Sequence, residues 1–286
     1  MTPNIQSSVA CMRHNIKTKA GKRIRELGLG YFNLAITRVD REGQEKNLRS
    51  FFHRVAPVST NHQLIRLGAH NDGGYLLPDD LLGTQTCFSP GVSSLADFEF
   101  DLTRRNIKCY LADYSVESAP IQSPLISFEK RYLGNTNDSI YITLPSWVSS
   151  HAEPTDNNLI LQMDIEGAEY DVLIETPVEI LERFRIIVIE FHYLDALFNP
   201  FGFKLVGGVF ERLLRSFKCV HIHPNNFCDP IRYGDFAVFP VMEFTFHRID
   251  RISHFAETAS FPHRLDEPNC PWRPDAPLPN CWHPGA

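Results

Sequence analysis

From residue 64 onward, apolar and polar positions change period repeatedly along the chain. LIRLGAHNDGGYLLPDDL (64–81) is apolar, then a Gly-rich turn, then apolar again, which predicts a strand, a turn and a second strand. TCFSPGV (86–92) is a short apolar strand ending at Gly91. SSLADFEFDLTRR (93–105) spaces Leu95, Phe98 and Leu102 with a helical period, and Ser93 or Ser94 is its natural N-cap. Further strands are predicted at KCYLADYSV (108–116), LISFEKRYL (125–133), NLILQMDI (158–165), RIIVIEFH (185–192) and KCVHIH (218–223). Helices are predicted between them at TLPSWVSSH (143–151), GAEYDVLIETP (167–177, closed by Pro177) and GGVFERLLRSF (207–217). FAVFPVMEFTFHRI (236–249) is a long β-rich run broken by Pro240.

Strands alternating with helices build βαβ units, hence an α/β fold with a mostly parallel sheet covered on both faces. Three regions are expected: a polar, helical and basic N-terminal extension (1–60), the α/β domain (61–250), and an irregular Pro-rich tail (251–286) wrapping the domain.

In open parallel sheets, ligands bind beyond the carboxyl ends of the strands, where the strand order switches. Those ends carry the chemistry here. The first presents Gly91, Val92 and Ser93, the second Asp113, the fourth Asp164 and Glu166, the fifth Glu190 and His192, the sixth His221 and His223. The first turn, SPGVSS, has one glycine, with Ser93 where a second would stand. This argues against a dinucleotide pyrophosphate and leaves room for a ligand lying on the turn without a phosphate. Asp113, about twenty residues further on, is placed to accept hydrogen bonds from ribose hydroxyls. Glu166 and Glu169 resemble a capping box with Glu in place of Ser or Thr, at the positive end of a helix dipole. Glu169 is therefore expected to be structural. Asp164 ends its strand before the helix begins, so capping explains it less well. Glu190 and His192 share one strand face, as do His221 and His223. Asp164, Glu190, His192 and His221 are the candidates for proton transfer. Asp164, Glu190, His221 and His223 are candidate ligands of a divalent metal; the alternative is a pair of hydrogen-bonded histidines shaping a polar pocket.

With 286 residues, the chain can bury a sizeable core. A net charge of −6 argues against nucleic-acid binding through bulk positive charge. The seven cysteines are scattered and form no CxxC, which fits a reducing cytoplasm better than a disulfide scaffold. No apolar run reaches about 18 residues, and the N-terminus lacks a signal-peptide core, so no transmembrane segment is expected. Arg13, Lys17, Lys19, Lys22, Arg23 and Arg25 precede the first acidic residue. They are expected to form a solvated leader or first helix, with a peripheral membrane-surface contact as the alternative.

LQMDIEGAEYDVL (161–173) resembles the K-I-D-x-E-G-A-E motif of the FkbM-type methyltransferases, which use S-adenosylmethionine. LIRLGAHNDGGYLL is similar to an R-x-G-x-x-x-D-G-G-Y segment of a subset of that family. GVSSLADFEFDL, IVIEFH, HIHPNN and VMEFTF look like its glycine turn and later strands, so the resemblance covers about residues 64–249. The family implies a class I methyltransferase (Rossmann-like) fold of seven strands with the last reversed. It also implies methyl transfer to an acceptor, with a glycan, glycolipid or small-metabolite hydroxyl as the analogy. Gly91, Val92, Ser93, Asp113, Tyr114 and Asp164 would then face the cofactor. ADY (112–114) departs from the F-E-P of many members. A metal-dependent hydrolase using the same acids and histidines, or a non-catalytic binding module on this fold, are the competing readings.

Overall fold

The computed structural model describes residues 40–257 and 261–283. Its central sheet has seven strands. They are β1 (Thr86–Pro90), β2 (Lys108–Ala112), β3 (Ile126–Glu129), β4 (Leu159–Met163), β5 (Phe184–Phe191), β6 (Phe217–Pro224) and β7 (Met242–Arg248). The spatial order is β6-β7-β5-β4-β1-β2-β3. The pairs among β1 to β5 are parallel, while β7 runs antiparallel to both β5 and β6. This is the expected class I sheet with its last strand reversed. β4 and β5 are buried along their whole length, as apolar runs flanked by strands on both sides should be. The order turns back between β1 and β4, which opens a crevice at their carboxyl ends.

One apolar core lies on each face of the sheet. The larger gathers α1 (Arg41–Val55), α3 (Leu144–His151), α4 (Glu169–Glu175) and α5 (Pro200–Leu213). The smaller combines α2 (Asp97–Thr103) with the antiparallel hairpin Leu64–Gly68/Gly74–Pro78. α1 buries Gln44, Leu48, Phe51, Phe52 and Val55, a helical stripe. Phe52 meets the Trp282 ring at 4.6 Å, and Phe51 meets Phe210 at 5.3 Å. Gln44 onward thus belongs to the compact unit that runs to the C-terminus. The basic segment 13–25 lies outside the described residues. The tail is irregular but anchored: the Asn226 amide donates to the carbonyls of Cys270, Arg273 and Pro274, and its oxygen accepts from the Cys270 N–H.

Three local expectations are corrected. α2 starts at Asp97, with Ala96 as an N-cap that makes no side-chain bond. Ser93 does not cap it: it lies four residues before the first helical residue and its backbone is left-handed (φ +46). The run 125–133 is split: β3 ends at Glu129, and Tyr132–Gly134 pairs with Tyr141–Thr143 instead. α5 begins at Pro200 rather than 207, because Asn199 caps it by accepting from the N–H groups of Phe201 and Gly202, and Pro200 suits a first helical position. Among the described residues no helix is long and apolar enough to cross a membrane.

Candidate functional site

At the switch point the chain leaves β1 through Gly91 and β4 through Asp164. The two exits touch. The Asp164 N–H points to the Pro90 carbonyl (3.4 Å), and a Cβ on Gly91 (φ +86) would lie 1.6 Å from the Asp164 carbonyl oxygen. The turn after Gly91 is held from β2. The Ser93 N–H donates to Asp113 Oδ2 (2.8 Å), while the Ser115 N–H and hydroxyl both donate to Oδ1 (2.7 Å each). Asp113 therefore shapes the turn, whatever else it binds.

Beyond these strand ends lies a cavity of about 680 Å³. Six acids line it (Asp72, Asp97, Glu99, Asp113, Asp164 and Glu166), and no Lys, Arg or His among the described residues does. Gly91, Val92, Ser93, Asp113 and Asp164 come together there as expected. Tyr114 does not line it; its ring stands 5.4 Å from Tyr132, which does, together with Tyr141. Ser89, Glu99 and Gln162 form a buried polar group beside the turn. Ser89 Oγ lies 2.5 Å from Gln162 Oε1 and also bonds Glu99. Burial pushes the Glu99 carboxyl up to about 7, with the Ser89 hydrogen bond holding it back.

His192, just past β5, is the hub of the acids at the β4 exit. Its Nε2 lies 3.4 Å from Glu166, 3.9 Å from Asp164 and 4.0 Å from Glu190, while Nδ1 is 3.2 Å from Glu169 Oε1. Burial lowers the affinity of this imidazole for a proton, but the Glu169 hydrogen bond and the surrounding acids outweigh it and raise its pKa. For Asp164, burial is the largest influence. Its carboxyl is pushed up to about 7, Glu166 and Glu169 adding to the rise and His192 opposing it. Burial and the neighbouring Asp164 drive Glu190 well above the usual carboxylate range. Asp164 Oδ1 and Glu190 Oε2 are buried without a hydrogen-bond partner. Glu166, at φ +57, and Tyr193, at φ +56, are two of the four left-handed non-glycine residues among those described. Ser93 is a third, so the strain gathers at this rim.

Glu169 is structural, though not as the reciprocal cap expected. Glu166 does not cap α4; the N-cap is Ala168. Glu169, fully buried, turns back instead, and its Oε1 accepts from the N–H groups of Ile165 and Gly167 (3.1 Å each) while fixing His192. Glu169→Gln should therefore cost more than a cap on an open surface. We expect about 1–3 kcal/mol of stability by denaturant unfolding, together with a lowered His192 pKa by NMR titration.

The two other histidines are not brought to this group. His221 Nε2 bonds Asp266 at 2.8 Å, and His223 Nε2 bonds Asp275 at 3.0 Å. Both acids come from the tail, so His221 is withdrawn from the proton-transfer set and both histidines from the metal set. Burial disfavours the charged His223, yet Asp275 and Glu243 hold its proton up to about 10. The tail thus locks onto β6 through these two histidine–carboxylate contacts.

Several site residues were missed in the sequence. Asp72 and Tyr75 reach the cavity from the hairpin, Glu99 from α2 and Gln162 from β4. Glu243 stands opposite Glu190 in the register and accepts from Asn269 at 2.7 Å. The signals were present: Gln162 lies two residues before Asp164 and so on its face, and Glu243 interrupts an otherwise apolar run.

Comparisons with known proteins bear on the identity of this site. No curated protein matches the chain. Among solved structures, a fibrillarin/Nop5p complex chain aligns at 12% identity and a TM-score of 0.36, over 68% of this chain and 98% of its own. A 16S rRNA (adenine(1408)-N(1))-methyltransferase from Catenulisporales acidiphilia aligns at 9% identity and a TM-score of 0.28, over 65% of this chain and 98% of its own. These alignments are too loose to add to what the strand order already establishes. The family model described as the methyltransferase FkbM domain matches residues 141–215, a stretch that contains β4, α4, β5 and the Asp164–Glu169 turn. Residues 141–215 are thus similar to the methyltransferase FkbM domain, and they lie within a sheet of class I methyltransferase strand order.

Proposed function

We propose that the protein is an S-adenosylmethionine-dependent O-methyltransferase acting on a hydroxyl of a glycan, glycolipid or small metabolite. One observation carries the reading: the cavity at the switch point is lined by six acids and no basic side chain among the described residues. Such a donor-poor, acid-rich wall suits a cofactor bearing a sulfonium and an ammonium, and repels a pyrophosphate. When bound, S-adenosylmethionine supplies an electrophilic methyl group open to in-line displacement.

The chain's own residues do the rest. Asp113 retains lone pairs beyond its bonds to Ser93 and Ser115 and would accept from ribose hydroxyls. Gly91 and Val92 would lie against the adenosine, with the Tyr132 ring on the same cavity wall. Asp164, close to 7, is poised to take the acceptor's proton as the oxygen–methyl bond forms and the sulfur–methyl bond breaks. His192, whose pKa the Glu169 hydrogen bond and the surrounding acids raise, serves to hold Asp164, Glu166 and Glu190 in place.

The raised carboxyls give the test its sign. A group whose folded pKa lies above its ordinary value near 4 favours folding only while it keeps its proton. For Asp164 and Glu99 that contribution fades as pH rises from about 4 to about 7. A cationic ligand prefers them ionised, so its binding must expel protons below about pH 7. Calorimetric titration with S-adenosylmethionine in buffers of different ionisation enthalpy should show proton release at pH 6 and little at pH 8. Affinity should rise about tenfold per pH unit for each proton released, then level off. No binding at any pH, or binding with proton uptake, would refute the assignment. Methyl transfer from labelled cofactor to a panel of hydroxylated acceptors then tests the O-methyl chemistry.

A further inference from the structure

Two groups of side chains among the described residues place three metal-type ligand atoms within 4.8 Å of one another: His62, Asp80 and His247, and Asp164, Glu166 and His192. They differ in what already balances them. Asp80 is bonded by Arg251 at 2.9 Å and contacted by Arg185 at 3.4 Å, and His247 adds a third contact at 3.1 Å. With two guanidiniums in place, that group needs no ion. Among the described residues the second has no arginine or lysine in contact, and its one basic partner there is His192.

The second group is also built as a ligand set. Ligand atoms about 2.1 Å from one ion stand about 3–4 Å from each other. From His192 Nε2 the carboxylate oxygens of Glu166, Asp164 and Glu190 lie at 3.4, 3.9 and 4.0 Å. Asp164 Oδ1, the oxygen facing Nε2, is buried with no partner; Glu190, 4% exposed, faces Nε2 with Oε1, which accepts from Asn225 at 3.2 Å, and leaves Oε2 unpartnered. Behind the ring, buried Glu169 engages Nδ1 at 3.2 Å. A carboxylate on one ring nitrogen is how proteins aim the other at a metal. A sulfonium has no vacant coordination position, so the cofactor would leave the Nε2 lone pair unused.

We infer that Asp164, Glu166 and His192 form a divalent-cation site at the edge of the cavity, with Glu169 orienting the imidazole and Glu190 as a further carboxylate beside it. A set dominated by carboxylates with one imidazole favours Mn2+ over the harder Mg2+ and the more nitrogen- and sulfur-seeking Zn2+. The ion replaces the Nε2 proton and supplies the countercharge the acids lack. Resting on the methyl-transfer reading, an ion here would bind the acceptor's hydroxyl oxygen and ease its deprotonation by Asp164.

The test is Mn2+ titration of the full chain after stripping with a chelator, followed by loss of the free-ion EPR signal. One Mn2+ per chain is expected. Glu166→Gln, at an exposed side chain that leaves the core intact, should weaken binding at least tenfold, and Glu169→Gln by about ten- to a hundredfold. Glu211→Gln, at an exposed pair with Arg54, should change nothing. No bound Mn2+, or affinity unmoved by Glu166→Gln and by His192→Ala in samples that melt cooperatively, overturns the inference. Titrating S-adenosylmethionine into the same metal-free chain keeps the two ideas apart: cofactor binding without Mn2+ binding sinks the ion site alone, and the converse sinks the cofactor reading alone.

Discussion

Asp164→Asn should lower methyl transfer by about a hundredfold or more while leaving the melting temperature unchanged or raised. The change keeps the shape of the side chain and removes its ability to ionise. Stability should not suffer, because the carboxyl is held near 7 by burial and by Glu166 and Glu169, so its charge is a cost to the fold at neutral pH. Its Oδ1 has no hydrogen bond to lose. An amide can instead donate, and Glu190 Oε2 is an unpartnered acceptor in the same group. Function should suffer twice. The acceptor's proton loses its nearest base of suitable pKa, and a cationic cofactor loses one of the acids facing it. The proton released on cofactor binding near pH 6 should fall by the share belonging to Asp164, leaving that of Glu99. Transfer rates on the acceptor panel, thermal melting and the calorimetric proton count separate these effects. A variant that melts several degrees lower with its rate nearly intact would return Asp164 to the role of strand terminator.

What the sequence made legible follows from periodicity. Apolar runs of strand length, spaced by helices, require a parallel sheet, and a parallel sheet puts its chemistry at the carboxyl ends. Asp164, Asp113, Gly91 and His192 were found that way. What stayed hidden depends on partners far away in the chain. His221 and His223 look like free ligands until the tail delivers Asp266 and Asp275, 45 and 52 residues later. Glu169 reads as a cap because its helix is visible, but the imidazole it fixes is 23 residues on, at the end of the neighbouring strand. Ser93 has the chemistry of an N-cap, but the helix starts only at Asp97, and Asp113 holds Ser93 in the turn before it through its N–H. Glu99 occupies a helical position like any other, and its burial against Ser89 and Gln162 follows only once α2 has docked on the sheet. Local propensity yields to tertiary contact in each case, and three of the four bear directly on the rim where acids gather.

Gly91→Ala should be the most damaging single change at the site that touches no acid. A Cβ there would overlap the Asp164 carbonyl oxygen at 1.6 Å, with the Asp164 carbonyl carbon at 2.7 Å and Ile165 Cγ2 at 3.2 Å. The first two are backbone atoms of the neighbouring strand exit, which cannot rotate away as a side-chain tip can. The position is also left-handed (φ +86), which costs an L-residue about 1–2 kcal/mol before any contact. Forcing the two strand ends apart adds the cost of overpacking, so a loss above about 3 kcal/mol is expected, read as a fall of about 6–12 °C in melting temperature. Gly234→Ala is the matched control. It shares the left-handed backbone (φ +58), but its Cβ would meet nothing nearer than a Glu45 side-chain oxygen at 3.8 Å. Only the conformational term remains, about 1 kcal/mol and a few degrees. The comparison isolates the crossing of β1 and β4. In whatever fraction of Gly91→Ala folds, Asp164 is displaced from His192 and the Ser93–Asp113 clamp is pulled with the turn, so cofactor affinity should fall along with stability. Gly234→Ala, far from that crossing in the chain, should keep its affinity. Equal melting losses for the two alanines would mean that the backbone angle alone requires Gly91, and that the strand exits have room to part.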